Sequence, residues 1–227
     1  MKVVLTEELM ALRAIKEIKE GQVVFPGFGI PMDRIPELIP KEKGVILHSE
    51  NGLVGHGPVI TEESEWDTEQ VNAAGHPVSL MPGASFVNQV DSFAIMRAGH
   101  VDIAFLGAYQ VSEKGDIANW ALKDRGMASV GIGGAMDIAT GAKRVIVLMK
   151  HTDRKGRPRI VKECSQPLTA RRVVGTIITD IALFQVTPHG LLVEELAGGW
   201  TTEEVQAITE PRFIVRDELK RMESSLE

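Results

Sequence analysis

Short apolar, β-branched runs recur along this chain with helical stretches between them, and that alternation constrains its fold more than any other feature. The runs are Val23–Phe25, Val45–Leu47, Val101–Leu106, Val145–Leu148, Ile177–Phe184 and Leu191–Val193. Most are apolar at successive positions instead of alternate ones, the pattern of strands covered on both faces. Helical candidates fall between them at Met32–Ile39, Asp91–Arg97 and Ala135–Thr140. A first helix starts after Thr6, with Glu7 and Glu8 in its opening turn and a stripe of Leu9, Leu12, Ile15 and Ile18 stopping at Gly21. The last clear helix starts at Thr201, where Thr201 and Glu204 have capping-box spacing. The expected architecture is α/β: a largely parallel open sheet flanked by helices. Residues 1–210 read as one domain, and 211–227 as a C-terminal extension with a partly flexible end.

Composition narrows the function classes. With 227 residues, 44% hydrophobic and 25% charged, the chain can bury a substantial core. A net charge of −6 argues against nucleic-acid binding, which normally shows a basic surplus. No apolar run approaches the ~20 residues that cross a bilayer, so no membrane role is expected. The amphipathic start lacks the apolar stretch of a signal peptide. The lone Cys164 has no partner for an internal disulfide, which suits a reducing cytoplasm. The six histidines never fall at metal-binding helical spacing, and with one cysteine no metal site is expected.

Several familiar site motifs are absent. A dinucleotide fingerprint fails after both Gly27–Gly29 and Gly131–Gly133, where Met32 and Met136 stand at the required glycine. No phosphate-cradling G-x-x-x-x-G-K-[ST] occurs, and the nucleophile elbow fails at Gly83–Val87. What remains is Glu50. The strand Val45–Leu47 runs through His48 and Ser49 into Glu50-Asn51-Gly52. Open α/β sheets gather their sites at the carboxyl ends of strands. Asn-Gly favours a tight turn with positive φ, which would present Glu50 on a bend. From position alone, Glu50 is either the polar end of a strand or a carboxylate held at a site. The glycine-rich stretch Gly126–Asp137, ahead of a helix, likewise admits two readings: backbone amides free for an anion, or close backbone packing.

Taken together, the motifs carry a resemblance over about Leu12 to Ile208. Ser49-Glu50-Asn51-Gly52-Leu53 with Gly55-x-Gly57-Pro58 comes first. Pro82–Phe86, Asp91–Ala94, Arg97-x-Gly99-His100, Leu106–Ser112 and Gly115–Trp120 follow in order. Gly133–Asp137, Lys162–Cys164 and Ile178–Asp180 complete the series. The chain resembles the family I CoA-transferases, in particular the β subunit of 3-oxoacid (acetoacetate-type) enzymes. The resemblance implies the isomerase-like fold of that family, with Glu50 as nucleophile. It places the backbone N–H of Gly134 in an oxyanion hole, with Ala135 beside it. It also implies substrate or CoA contacts at Gly27, Phe28, Gly29, Asn51, Gly52 and Gly133.

The implied activity moves CoA between an acyl-CoA and a small carboxylic acid through a glutamyl-CoA thioester. No cofactor beyond coenzyme A as substrate is called for. The implied partner is an α subunit, in a heterodimer or an α2β2 assembly. Two rivals stand beside this reading: an acyl-CoA hydrolase on the same scaffold, and a non-catalytic sugar-phosphate-binding relative. Two departures matter: Pro26 stands where many 3-oxoacid members have Asn, and Gly75 where they have Lys. With Phe28, these changes suggest a bulkier, more apolar acyl group than acetoacetate or succinate. His48 shares a strand face with Glu50 and could tune it, but reads first as a satisfied core histidine. Cys164 reads as a small buried apolar residue, Trp120 as packing or subunit contact, and His151–Arg159 as a solvated hairpin or loop.

Overall fold

The computed structural model describes residues 1–29, 31–123 and 131–223. Part of the glycine-rich stretch, Gly126–Val130, lies outside the described residues. Helix α1 (Glu7–Ile15) is capped by Thr6, whose hydroxyl accepts the Leu9 N–H. Strands β1 (Val23–Phe25) and β2 (Ile46–Leu47) bracket the short helix α2 (Ile35–Leu38). The hairpin β3 (Leu53–Val59) and β4 (Val78–Phe86) leads to helix α3 (Gln89–Arg97) and strand β5 (Ile103–Leu106). Strands β6 (Gln110–Ser112) and β7 (Ile117–Ala118) come next, then helix α4 (Ala135–Gly141) and strand β8 (Arg144–Met149). The chain ends with β9 (Ile160–Val161), β10 (Val174–Thr179), β11 (Ala182–Thr187), β12 (Gly190–Leu196), helix α5 (Thr202–Ala207) and β13 (Phe213–Arg221).

Eight strands form the main sheet in the order β13-β12-β11-β10-β8-β5-β1-β2. Pairing is parallel from β2 through β10 and again between β12 and β13; the β10–β11 and β11–β12 pairs are antiparallel. The continuous apolar runs are explained by burial on both faces. In β5, Ala104 and Leu106 join one core while Ile103 and Phe105 join the other. In β8, Val145 and Val147 face the first core, and Ile146 and Leu148 the second. Met10, Ala11 and Ala14 of α1 cover the second face, and Ile138 and Ala139 of α4 cover the first.

Three local expectations change. The first helix stops at Ile15, because the next turn tightens: Ile18 N–H bonds to the Ile15 carbonyl, and the Lys43 ammonium reaches the Ile18 carbonyl at 2.8 Å. The run Ile177–Phe184 is two antiparallel strands, not one. Thr179 Oγ1 accepts the amides of Ile181 and Ala182 and so closes a hairpin inside the apolar stretch. Residues Phe213–Arg221 of the C-terminal extension are the edge strand β13, paired in parallel with β12. Among the described residues no helix is long and apolar enough to cross a membrane.

The loop at His151 is not uniformly solvated. Asp153 organises its exposed turn by accepting the amides of Lys155 and Arg157. His151 itself is buried between Thr179 Oγ1 (3.1 Å) and Thr209 Oγ1 (2.9 Å). Burial pushes its pKa down to about 4. The unfolded chain takes up this proton below about 6.5, while the folded chain resists until near pH 4. Stability from this group is therefore complete above about pH 6.5 and is lost as pH falls toward 4. The urea midpoint is expected to fall across that interval, and to fall less in His151→Gln; equal slopes for parent and variant would contradict the assignment.

Candidate active site

The strand preceding Glu50 ends by pairing on two sides. His48 N–H donates to the Val24 carbonyl of β1, and Ser49 N–H donates to the Leu53 carbonyl of β3. Between them the chain reverses, with Gly52 N–H bonded to the Ser49 carbonyl at 3.0 Å. Gly52 has φ +106, and a Cβ there would lie 2.0 Å from the Val87 carbonyl oxygen. Only glycine meets both conditions. The turn presents Glu50 at the carboxyl end of β2, as the Asn-Gly signal predicts. Asn51 builds the turn from outside, its side-chain amide donating to the Val71 carbonyl.

Glu50 opens into a cavity of about 380 Å³. Gly27, Phe28 and Gly29 form one wall, and Gly133, Gly134 and Ala135 another. Gly27 has φ +75, and a Cβ there would meet the Phe105 carbonyl at 2.4 Å, so β1 can turn against β5 only with glycine. The sequence-predicted residues Glu50, Gly27–Gly29 and Gly133–Ala135 are thus brought to one space. Asn51 and Gly52 lie behind it and shape the turn.

Gly134 is pressed against the carboxylate. A Cβ at this position would stand 2.6 Å from Glu50 Oε2 and 2.6 Å from Phe93 Cζ of α3. The amide of Gly134 faces the carboxylate and draws its pKa down, but burial outweighs it and leaves the pKa above the usual glutamate value. The Ala135 amide is engaged elsewhere, donating to the Ile132 carbonyl at 3.1 Å. The carboxylate is thus less solvated than in water, yet faces a backbone N–H.

Sequence reasoning missed several residues of the cavity, among them Tyr109, Asn119, Lys150 and Arg159. Arg159 closes the supposed solvated loop, but its side chain is half-buried and touches the Ala108 carbonyl only at 3.5 Å. Burial lowers its pKa, and the charges of Asp153 and Asp180 offset this only in part. The available signal was the single cation directly before Ile160 in a buried strand, hidden within a basic run. Cys164 is half-buried beside the Asp116 carbonyl, and its thiol is pushed up to about 12, so it is no second nucleophile. Among the described residues no group of three or more His, Cys, Asp or Glu is placed to hold a metal ion.

The opposition at Glu50 makes a direct prediction. A ¹³C carboxyl titration should place its midpoint above the ~4.3 of a free glutamate. A midpoint at or below the free value would contradict the burial shown by the structure.

Comparison with known proteins supplies the family. The model of the coenzyme A transferase family matches residues 8–207. The chain is 44% identical over 203 residues to the probable coenzyme A transferase subunit beta of Bacillus subtilis strain 168, covering 89% of this chain and 92% of that one. Among relatives named as B subunits, it is 42% identical over 212 residues to that of the succinyl-CoA:3-ketoacid coenzyme A transferase of Helicobacter pylori, covering 92% and 99%. In fold it is similar to an acyl-CoA transferase of Escherichia coli O157:H7 solved as a thioester complex with CoA, with a TM-score of 0.74 and 20% identity. There it spans 99% of its own length and 44% of the longer chain. With a carboxylate at a sheet's carboxyl edge and a family match over most of its length, the chain belongs to the coenzyme A transferase family.

Proposed function

We propose that this chain is the β subunit of a CoA-transferase that works by a ping-pong mechanism through a glutamyl-CoA thioester on Glu50. The single observation behind this reading is the Glu50 carboxylate, half-buried at the mouth of a cavity with the Gly134 amide against it. Ionised Glu50 attacks the thioester carbonyl of an acyl-CoA, and the C–S bond breaks to release CoA thiolate. The product is a mixed anhydride between Glu50 and the acyl group. Thiolate then attacks the glutamyl carbonyl, and the first acid leaves as its carboxylate. A second carboxylate reverses these steps and departs with CoA, returning Glu50 unchanged. A carboxylate needs no base partner for this chemistry, which splits one exchange into smaller barriers.

The position of Gly134 supports the second half of each cycle. When thiolate attacks the glutamyl carbonyl, the oxyanion forms on an oxygen of Glu50 itself. The N–H that already faces that carboxylate needs little rearrangement to stabilise it. The reacting acyl group would lie along the Gly27–Gly29 wall, with exposed Phe28 offering an apolar face. Arg159, which lines the same cavity, would take an anionic group of the substrate.

A partner α subunit is part of the proposal. The relatives above are named as β or B subunits. The hairpin of β3 and β4 leaves Leu80, Met81 and Phe86 exposed, and Val90 follows on α3. Exposed apolar side chains along one strand and the helix after it suit a subunit contact.

Intact-mass spectrometry of the αβ complex after acyl-CoA exposure tests the mechanism. A CoA-sized increment on this chain is expected, and none in Glu50→Gln; an increment surviving that substitution would refute Glu50 as nucleophile. Steady release of free CoA without an acceptor acid would instead favour the hydrolase. Gly134→Ala should lower turnover about 10²-fold, because its Cβ displaces the carboxylate, and turnover within threefold of the parent would remove Gly134 from the mechanism.

A further inference from the structure

Behind the Glu50 turn lies a second, far smaller cavity of about 20 Å³, reached by two buried histidines. His48 is 0% exposed and His56 2%. Each has one ring nitrogen with a partner, and that partner assigns the tautomer. His56 Nδ1 lies 2.9 Å from the Gly57 carbonyl, which can only accept, so Nδ1 carries the hydrogen. His48 Nε2 lies 2.9 Å from Ser92 Oγ. We assign the single Ser92 hydroxyl hydrogen to the Ser49 carbonyl at 3.3 Å, which makes His48 Nε2 the donor to Ser92. The atoms left over, His48 Nδ1 and His56 Nε2, are both lone pairs. They are the buried side-chain nitrogens without a partner among the described residues.

Both histidines line the same cavity, and burial together with the neighbouring His56 holds His48 neutral, its pKa pushed down to about 4. Two neutral acceptors cannot satisfy each other, and an unpaired buried nitrogen is costly. What they require is one small molecule with two hydrogens to donate. A cavity needs roughly 10–15 Å³ of this measure to hold one water. The network it would complete is buried throughout: Ser92 is 0% exposed and Ser49 4%. Its far end is the carbonyl of the peptide that joins Ser49 to Glu50. On the other side, Ser49 Oγ accepts the Ala73 amide at 2.8 Å, which ties the same residue to the loop before β4.

We propose that this cavity binds one water that donates to both His48 Nδ1 and His56 Nε2, and that the chain water–His48–Ser92 is a positioning device for Glu50. The water locks the His48 tautomer, His48 orients the Ser92 hydroxyl, and Ser92 holds the Ser49 carbonyl. The peptide plane leading into the nucleophile is thereby kept from rotating while Glu50 passes between carboxylate, anhydride and thioester. His48 and Ser92 touch no substrate. The positioning half rests on Glu50 as nucleophile; the water site does not.

The test has two arms, both on the complex with its partner subunit. In long-range ¹⁵N–¹H spectra of histidine-labelled protein, His48 should appear as the neutral Nε2–H tautomer and His56 as Nδ1–H. A crystal structure should show a water-sized peak between the two free nitrogens. The opposite tautomer at either ring, an empty cavity, or a metal ion in the peak would overturn the water site, whatever Glu50 does. For positioning, Ser92→Ala and His48→Leu should each lower kcat about 10- to 100-fold with the KM for acyl-CoA within twofold. His48→Gln, whose side-chain amide can still donate to Ser92, should recover most of that loss. Undiminished kcat in Ser92→Ala, or His48→Gln no better than His48→Leu at equal thermal stability, would overturn the positioning role. Loss of the Glu50 adduct in the parent protein would identify the failure as one of the nucleophile, not of the water site.

Discussion

The reversal at Asn51-Gly52 is the constraint on which the rest of the site depends. Strand β2 contributes only two residues to the sheet, yet it must deliver Glu50 to the carboxyl edge and then turn back at once into β3. Gly52 makes this possible because its amide closes on Ser49 while its carbonyl accepts the Val87 N–H at 2.8 Å. The close approach of Val87 to Gly52 also brings the start of α3 beside the turn. Asn88 caps that helix by accepting the Asp91 amide, and Ser92 one turn later reaches the Ser49 carbonyl. One glycine without a Cβ therefore sets the direction of the Glu50 carboxylate and the seat of the helix behind it.

Around this turn, the cavity combines features that would be unfavourable in a purely structural setting. A carboxylate loses part of its solvation and receives a backbone amide from a loop whose Gly133 has φ +49. A guanidinium is half-buried, and the charges of Asp153 and Asp180 do not make up for its lost hydration. Burying charge without full pairing opposes folding. The main sheet can tolerate this because its central strands are apolar on both faces, with Phe25, Phe105 and Ile146 almost wholly removed from water. A stable scaffold thus carries the partly desolvated groups of the cavity.

Much of this was legible in the chain before its structure. Val23–Phe25 was read to the residue, and the strands around Leu47, Phe105 and Leu148 were located because their apolar runs are uninterrupted. The capping box at Thr201 forms as its spacing predicts. The strands β3, β4 and β13 escaped notice for a physical reason. Leu53–Val59 carries Gly55, Gly57 and Pro58, and most of Val78–Phe86 and Phe213–Arg221 is solvent-exposed, so none shows the apolar pattern of a core strand. The hairpin at Asp180 was hidden by the opposite error, an apolar run that continues through a turn. Asp180 leaves that run to accept the His151 amide at 2.8 Å.

The division between the two levels follows from the range of the forces involved. Local patterning determined the α/β class, the caps and the bend at Glu50, because steric preference and hydrophobic periodicity act over a few residues. The motifs in order also identified the family and part of the cavity lining, Glu50, Gly27–Gly29 and Gly133–Ala135. Only the tertiary structure decided that Gly134 presses on Glu50, that Arg159 faces the same space, and that His48, His56 and Ser92 form one buried network behind it. Those contacts join distant stretches of chain, His48 and Ser92 being 44 positions apart, and only sheet order and helix packing bring them together. Burial and pairing, which set the charge of each group, are properties of the packed interior and have no signature in any single stretch of chain.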